Sequence, residues 1–123
     1  MKIVDANFVL RYLLKDLEDQ ANEAFSILSS VSVCLLNEVI AEIVYVLEKV
    51  YKVDRERICI EIKELIESDN IQVNNIGVMN YALDIFSNSR LDFIDSLLCA
   101  YAKVTNAKFY TFDKKLLNAI NRE

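Results

Sequence analysis

Short apolar runs alternate with amphipathic segments along this chain. The runs at residues 2–4 (KIV), 30–36 (SVSVCLL), 71–73 (IQV) and 108–111 (KFYT) are rich in branched or aromatic residues, which predicts buried β-strands. The segments between them carry apolar residues at helical spacing. Strands that alternate with helices predict an α/β fold, with a short central parallel sheet of about four strands and helices on both of its faces.

The predicted helices follow these strands in order. Polar residues at their starts, including Asn7, Asn37, Asp54 and Asp92, are favourable N-caps. The helices are expected over residues 8–14, 17–29, 38–51, 55–67, 78–86, 93–102 and 114–120. The chain shows no internal repeat, linker or low-complexity stretch, so a single domain over residues 1–123 is expected.

The composition is that of a small protein with a substantial core. Of the 123 residues, 54% are hydrophobic, yet no apolar run approaches the roughly 20 residues of a membrane span. The first ten residues, MKIVDANFVL, lack the long apolar stretch of a signal peptide because Asp5 and Asn7 interrupt them. We therefore expect a cytoplasmic protein that does not associate with a membrane.

Several residue types are rare or missing, which excludes whole classes of chemistry. The chain has no histidine, so Ser-His-Asp and Cys-His catalysis are excluded, as is any histidine-liganded metal. One glycine and no proline exclude a P-loop and a GxGxxG dinucleotide loop. Cys34, Cys59 and Cys99 lie far apart among apolar residues, which predicts buried free thiols. Carboxylates, lysines, arginines, hydroxyls and amides are left for any chemistry.

The charge balance adds a constraint on partners. The net charge is −5, and an acidic protein does not attract nucleic acid through its overall field. A nuclease of this composition would need a local positive charge, which a bound divalent cation supplies.

Acidic residues follow the predicted strands at positions that bring them to one edge of a sheet. They are Asp5 after the first strand, Glu38 and Glu42 after the second, Asp92 and Asp95 at the start of the helix that leads to the fourth, and Asp113 after the fourth. Ligands of open α/β sheets bind beyond the carboxyl ends of the strands. Clustered carboxylates repel one another, and Mg²⁺ or Mn²⁺ removes that repulsion while polarising a phosphodiester and lowering the pKa of water.

Each acidic residue also has a purely structural interpretation. Asp92 and Asp113 are suitable N-caps, and Asp95 would then lie in the favourable first turn of its helix. Glu38 and Glu42 share one helical stripe that is typical of a solvated face. Asp5 could close an Asx-turn. The metal site and the structural roles are both open at this point.

Four segments, in this order, resemble a PIN-domain ribonuclease, most closely the VapC-type toxins of toxin–antitoxin pairs. They are IVDANFVLRYLL at the start, EVIAEIVYVLEKVYKV in the middle, LDFIDSLLCAYA later and YTFDKKL near the end. The resemblance covers essentially the whole chain. It implies a small α/β fold with an acidic pocket that holds Mg²⁺ or Mn²⁺, as one or two ions.

The resemblance assigns roles to individual residues. Asp5, Glu42, Asp95 and Asp113 fall on the catalytic, metal-binding acids of the family. Asp92 is a further candidate for the metal site in addition to its capping role. Asn7 and Thr111 fall on polar neighbours that would orient the acids or water.

The implied function is that of a metal-dependent endoribonuclease, a hydrolase that cleaves tRNA, rRNA or mRNA. The resemblance also implies a homodimer and a cognate antitoxin protein that covers the pocket. Four basic residues near the expected rim are candidates for contacts with the RNA backbone, or are ordinary surface charges: Arg11, Lys15, Lys114 and Lys115.

Two other functions fit parts of the pattern. One is a catalytically inactive PIN-like scaffold that binds RNA or a partner. The other is a receiver-type phosphoacceptor switch, which the sequence disfavours because VDAN supplies one acid after the first strand and IQVNN supplies no aspartate after the third.

Overall fold

The computed structural model describes residues 1–122 and shows a mostly helical α/β chain with a small parallel sheet. Two compact units are present, Met1–Asn74 and the part of the chain from Asn75 onward. The elements of the first unit are α1 (Ala6–Leu14), α2 (Glu18–Ser30), β1 (Val33–Cys34), α3 (Asn37–Tyr45), a π-helix (Val46–Val50), α4 (Arg55–Glu67) and β2 (Ile71–Gln72). Those of the second are α5 (Ile76–Asn88), α6 (Phe93–Thr105) and α7 (Lys114–Asn121).

The sheet is smaller than the sequence predicts. Strands β1 and β2 pair in parallel, with Val33 opposite Ile71 and Cys34 opposite Gln72. The predicted strand at 2–4 is reduced to a single parallel bridge between Ile3 and Cys34, and Ile3 is 58% exposed. The expectation of about four strands is therefore wrong for the described residues, which contain two strands.

The predicted strand at 108–111 is also wrong, because this segment has no regular structure. Tyr110 and Phe112 are 80% and 106% exposed. An apolar run forms a strand when one face of it is buried against a core, and these side chains bury little surface. By contrast, the segment at 71–73 does form a strand, Ile71–Gln72, because Ile71 is buried.

The helices occur in the predicted order, but several bounds differ. Helices α5 and α6 extend to Asn88 and Thr105 rather than to residues 86 and 102, and the helix predicted at 38–51 is α3 followed by the π-helix. Asp5, not Asn7, caps α1, and Asn7 lies inside the helix. The helix predicted from residue 38 begins at Asn37, with Leu36 before it and no side-chain cap. Asp54 precedes α4 as expected, but its side chain makes no capping hydrogen bond. A charged carboxylate at Asp5 is favoured over the Asn7 amide because it meets both the free N–H groups and the positive end of the helix.

The core of the first unit is built from branched side chains. Val9, Ile40, Ile43, Ile58 and Ile62 are completely buried. Helix α1 packs on α2 and α3, and α4 packs on β2. The Asn70 amide donates hydrogen bonds to the carbonyl oxygens of Leu28 (2.6 Å) and Val31 (2.9 Å), and so joins the end of α2 to the start of β2.

In the second unit, α6 packs on both α5 and α7. The rings of Phe86 and Phe93 meet edge to face with centroids 5.8 Å apart, and Ala82 and Ala100 are completely buried. Small residues at these positions let the helices approach closely. The buried Ser96 hydroxyl donates to the Asp92 carbonyl oxygen at 2.8 Å, so its burial leaves no unpaired polar group.

None of the three cysteines forms a disulfide within the described residues. Cys59 and Cys99 are buried, whereas Cys34 is half-buried on β1. None of the helices in the described range is both long and apolar enough to span a membrane.

Candidate metal centre

In the first unit, Asp5 and Glu42 line the same cavity, which has a volume of about 470 Å³. Asp5 comes from the N-terminus of α1 and Glu42 from the second turn of α3. Asn7 and Arg11 also line this cavity, whereas Glu38 does not. The structure thus brings together two of the acids that the resemblance selects, and leaves Glu38 as an exposed residue at a helix start.

The π-helix that follows α3 shapes the wall of this cavity. The Val46 N–H donates to the carbonyl oxygens of Glu42 and Ile43, and the Tyr51 N–H donates to the Val46 carbonyl oxygen at 3.1 Å. Val46, Val50 and Tyr51 line the cavity beside Glu42. A π-helical turn inserts an extra residue and is frequent at functional sites. The sequence alone predicted an uninterrupted helix here.

Arg11 lies in the wall of the cavity and is not a free surface charge. Its guanidinium is paired with the Asp16 carboxylate at 3.0 Å, and its side chain is only 14% exposed. The Arg11 Nε–H is buried and has no hydrogen-bond partner among the described residues. A buried donor without a partner lowers the stability of the folded chain.

The other predicted basic contacts are placed differently. Lys15 lines a separate cavity with Tyr12 and Glu18. Lys114 and Lys115 form the first turn of α7 in the second unit.

In the second unit, two acids cap helices. The Asp92 carboxylate accepts a hydrogen bond from the Asp95 N–H at 2.8 Å. The Asp113 carboxylate accepts from the Lys115 and Leu116 N–H groups at 2.9 and 3.2 Å. The Thr111 hydroxyl accepts from the Asp113 N–H at 3.0 Å, which fixes the start of the turn that carries Asp113. The predicted capping roles of Asp92 and Asp113 are therefore confirmed.

Asp95 has a different environment, because it caps nothing and is half-buried on α6. Burial raises the pKa of its carboxyl, and the negative charges of Asp92 and Asp113 raise it further, against the opposing charge of Lys115. The charges of Asp92 and Asp113 thus oppose ionisation of Asp95 in the folded chain. Repulsion of this kind is what a bound cation relieves.

The family model of the PIN domain matches residues 2–121 of the chain. The chain belongs to the PIN domain family. Searches of curated proteins and of solved structures returned no match. PIN domains are generally metal-dependent nucleases that act on RNA, so membership supports a nuclease, and hence a hydrolase, at this coarse level.

The acids of this PIN domain match the donors that a hard cation prefers. Mg²⁺ and Mn²⁺ take oxygen ligands, and carboxylates are the acidic groups at both locations. Within the part of the chain that is described, no group of three or more metal-ligating side chains is close enough to hold an ion. The oxygen donors suit a divalent ion, but the protein would supply only part of its ligands. Such partial coordination is usual for Mg²⁺, which keeps several waters when it binds to proteins.

Proposed function

We propose that this protein is a Mg²⁺- or Mn²⁺-dependent endoribonuclease that uses Asp5, Glu42, Asp95 and Asp113. The observation that carries the proposal is the match of the PIN domain family model to residues 2–121. It is supported by Asp95, a half-buried carboxyl on which the negative charges of Asp92 and Asp113 act. A cation bound beside these carboxylates would reduce their repulsion and so stabilise the folded chain. The family membership makes RNA the expected substrate.

The four acids would hold one or two ions, in part through water, because no three of the described metal-ligating side chains are close enough to hold an ion directly. Asp92 is a further candidate ligand. When bound, the ion would supply a Lewis acid that activates water at neutral pH and stabilises charge on the phosphate. The protein has no histidine to act as a general base, so this source of a nucleophile suits its composition.

The remaining site residues would position these groups. The hydrogen bonds of Asp5 and Asp113 to the first turns of α1 and α7 restrict both carboxylates to one orientation. The Thr111 hydroxyl fixes the Asp113 turn. Asn7 lies in the Asp5–Glu42 cavity, where its amide would orient water. Arg11, which also lines that cavity, is a candidate for contact with the RNA backbone.

The protein is further proposed to be the toxin of a toxin–antitoxin pair, cytoplasmic and homodimeric, with an antitoxin that covers the acids. The resemblance to VapC-type toxins is the basis of this part. Exposed apolar side chains support it, since Tyr110 and Phe112 flank Thr111 and are 80% and 106% exposed. Exposed aromatic side chains beside a site are typical of a surface that a partner covers.

The test is cleavage of a pool of tRNA and rRNA fragments by purified protein in Mn²⁺ or Mg²⁺. An EDTA-treated sample and an Asp5→Asn variant, purified identically, serve as controls. Discrete cuts that vanish in both controls are expected. Equal cleavage by the variant would overturn the site assignment. If nothing is cut although calorimetry shows that the protein binds Mn²⁺, the inactive RNA-binding scaffold becomes the better description.

A further inference from the structure

The second unit contains a cavity of about 360 Å³ that is separate from the acids, between α5, α6 and α7. Basic residues from three different segments line it: Arg90 between α5 and α6, Lys103 on α6, Lys115 on α7 and Arg122 just after α7. None of the described carboxylates lines it. This concentration of positive charge is unexpected in a chain whose net charge is −5.

These positive charges are not neutralised within the described residues. The ion pairs there involve Arg11, Lys49, Arg55 and Arg57, and none of the four cavity residues. The Lys103 ammonium donates to the Arg122 carbonyl oxygen, which holds it in place without cancelling its charge. A concave site with several unpaired cations favours an anionic ligand.

The rest of the lining is mostly apolar or aromatic, with Asn88 and Ser89 as its other polar residues. Ile85, Leu91 and Ala119 form the walls, and the buried thiol of Cys99 lies at the cavity. Burial raises the pKa of that thiol, so it is neutral at pH 7 and adds no negative charge. Tyr81 on α5 also lines the cavity and is 41% exposed, which makes its ring accessible for stacking. The ligand should therefore combine an anionic group with a flat apolar one.

The cavity lies close to the acids along α6. Asp95, Cys99 and Lys103 are spaced four residues apart and share one face of the helix, so that Lys103 is roughly 12 Å from Asp95 along the axis. The charge of Lys115, which lines the cavity, acts on Asp95. An RNA strand held at Asp95 would therefore pass close to the cavity.

We propose that this cavity binds one nucleotide of single-stranded RNA next to the cleaved phosphate. Its phosphate contacts Arg90, Lys103 and Arg122, and its base stacks on Tyr81. A cationic groove with an aromatic platform is the usual way that proteins hold single-stranded nucleic acid. The volume is at the lower end of the range of about 300–1,000 Å³ for small-ligand sites, which suits a single nucleotide. The inference rests on the proposed function, because it takes RNA as the substrate.

The test measures RNA binding separately from cleavage. A fluorescein-labelled single-stranded RNA of about ten nucleotides is titrated in EDTA, and its anisotropy is followed at several salt concentrations. The Arg90→Gln/Lys103→Gln double variant removes two cavity cations. The control Lys49→Gln/Lys108→Gln removes two exposed lysines that do not line the cavity. Thermal unfolding of each variant checks that it folds.

The cavity variant is expected to bind about tenfold more weakly, with the slope of log K against log salt reduced by about 1.4, since each lost contact contributes roughly 0.7 for a single strand. The control pair should change binding less than about twofold. Tyr81→Leu should weaken binding about fivefold or more through the lost stacking, with little change in the salt slope. Equal binding by the wild type and the cavity variant would overturn the inference.

An Asp95→Asn variant separates this inference from the proposed function. It should cleave no RNA, and in EDTA it should bind RNA at least as tightly as the wild type because it removes one negative charge. If the wild type cuts no RNA but its binding depends on the cavity cations, the nuclease proposal fails and the binding site stands. If RNA does not bind while a labelled acidic peptide binds through Arg90 and Lys103, the cavity is a protein-docking site and the inference is wrong.

Discussion

Replacement of Asp5 by two different residues can separate its structural role from its chemical role. The Asp5 carboxylate accepts a hydrogen bond from the Phe8 N–H at 2.8 Å, and α1 has no other acid in its first turn. Asn is as good an N-cap as Asp, whereas Ala cannot cap. Only Asp carries the negative charge that a metal ion requires. Asp5→Asn therefore removes the charge alone, whereas Asp5→Ala removes both the charge and the cap.

The expected sizes follow from these contacts. Asp5→Asn loses only the attraction of the carboxylate to the helix dipole, about 0.3–1 kcal/mol. Asp5→Ala also loses the cap, a further cost of about 1 kcal/mol, which corresponds to roughly 4 °C in Tm for a chain of this length. Both variants should lose at least about 100-fold in RNA cleavage, equivalent to about 2.7 kcal/mol of transition-state stabilisation.

The assays are guanidinium unfolding followed by circular dichroism, and RNA cleavage in Mn²⁺ with equal amounts of folded protein. The decisive comparison is between the two variants. If Asp5→Asn keeps both its stability and its cleavage rate, Asp5 acts only as a cap. If cleavage falls in Asp5→Ala but not in Asp5→Asn, the activity depends on the geometry of α1 rather than on the carboxylate charge.

Three further predictions concern Asp95 and the core. The pKa of Asp95 is raised in the folded chain, so this carboxyl should increasingly destabilise the folded state as the pH rises from the ordinary value of 3.8 through the raised pKa. The Asp95→Asn variant should have the same free energy of unfolding as the wild type below that pH window and a higher one above it. A difference between the two proteins that stays constant in urea unfolding from pH 3 to pH 8 would contradict this. Mn²⁺ at 100 times its Kd should stabilise the wild type by about 2.7 kcal/mol, which a thermal-shift assay measures. An equal stabilisation of the Asp95→Asn variant would show that Asp95 is not a ligand. Ile62→Ala should lower the free energy of unfolding by about 2–5 kcal/mol because Ile62 is completely buried. Ile60→Ala on the same helix should lower it by less than about 1 kcal/mol, because Ile60 is 42% exposed. Similar losses for the two variants in guanidinium unfolding would refute the assigned burial pattern.

The helices were the most predictable part of this fold. Apolar residues at helical spacing placed α2 and α4 to within one or two residues, and Asp92 and Asp113 cap the helices that the sequence assigned to them. Capping is a local interaction between a side chain and N–H groups two or three residues later. It can therefore be read from a short stretch of sequence.

Strands were less predictable, because pairing depends on partners that are distant in sequence. The segments at 2–4 and 108–111 have the composition of strands, yet one forms a single bridge and the other has no regular structure. The weak signal at 71–73 does become a strand, since Ile71 is buried and lies opposite Val33. Composition shows how well a segment would suit a position in a buried sheet. It does not determine whether the folded chain provides a neighbouring strand and a core for that segment.

The sequence by itself determined the chemistry that is open to this protein. A chain with no histidine and one glycine cannot use histidine catalysis or a glycine-rich phosphate loop, so carboxylates, lysines, arginines, hydroxyls and amides remain for its chemistry. Its sequence matches the PIN domain family over residues 2–121. Only the tertiary structure decided where charges meet. It put Arg11 into the wall of the Asp5–Glu42 cavity, Asp95 beside Asp92 and Asp113, and Lys103 into a cationic cavity with Arg90 and Arg122. Electrostatic interactions depend on distance and burial, and both are set by the packing of elements that lie apart in the sequence.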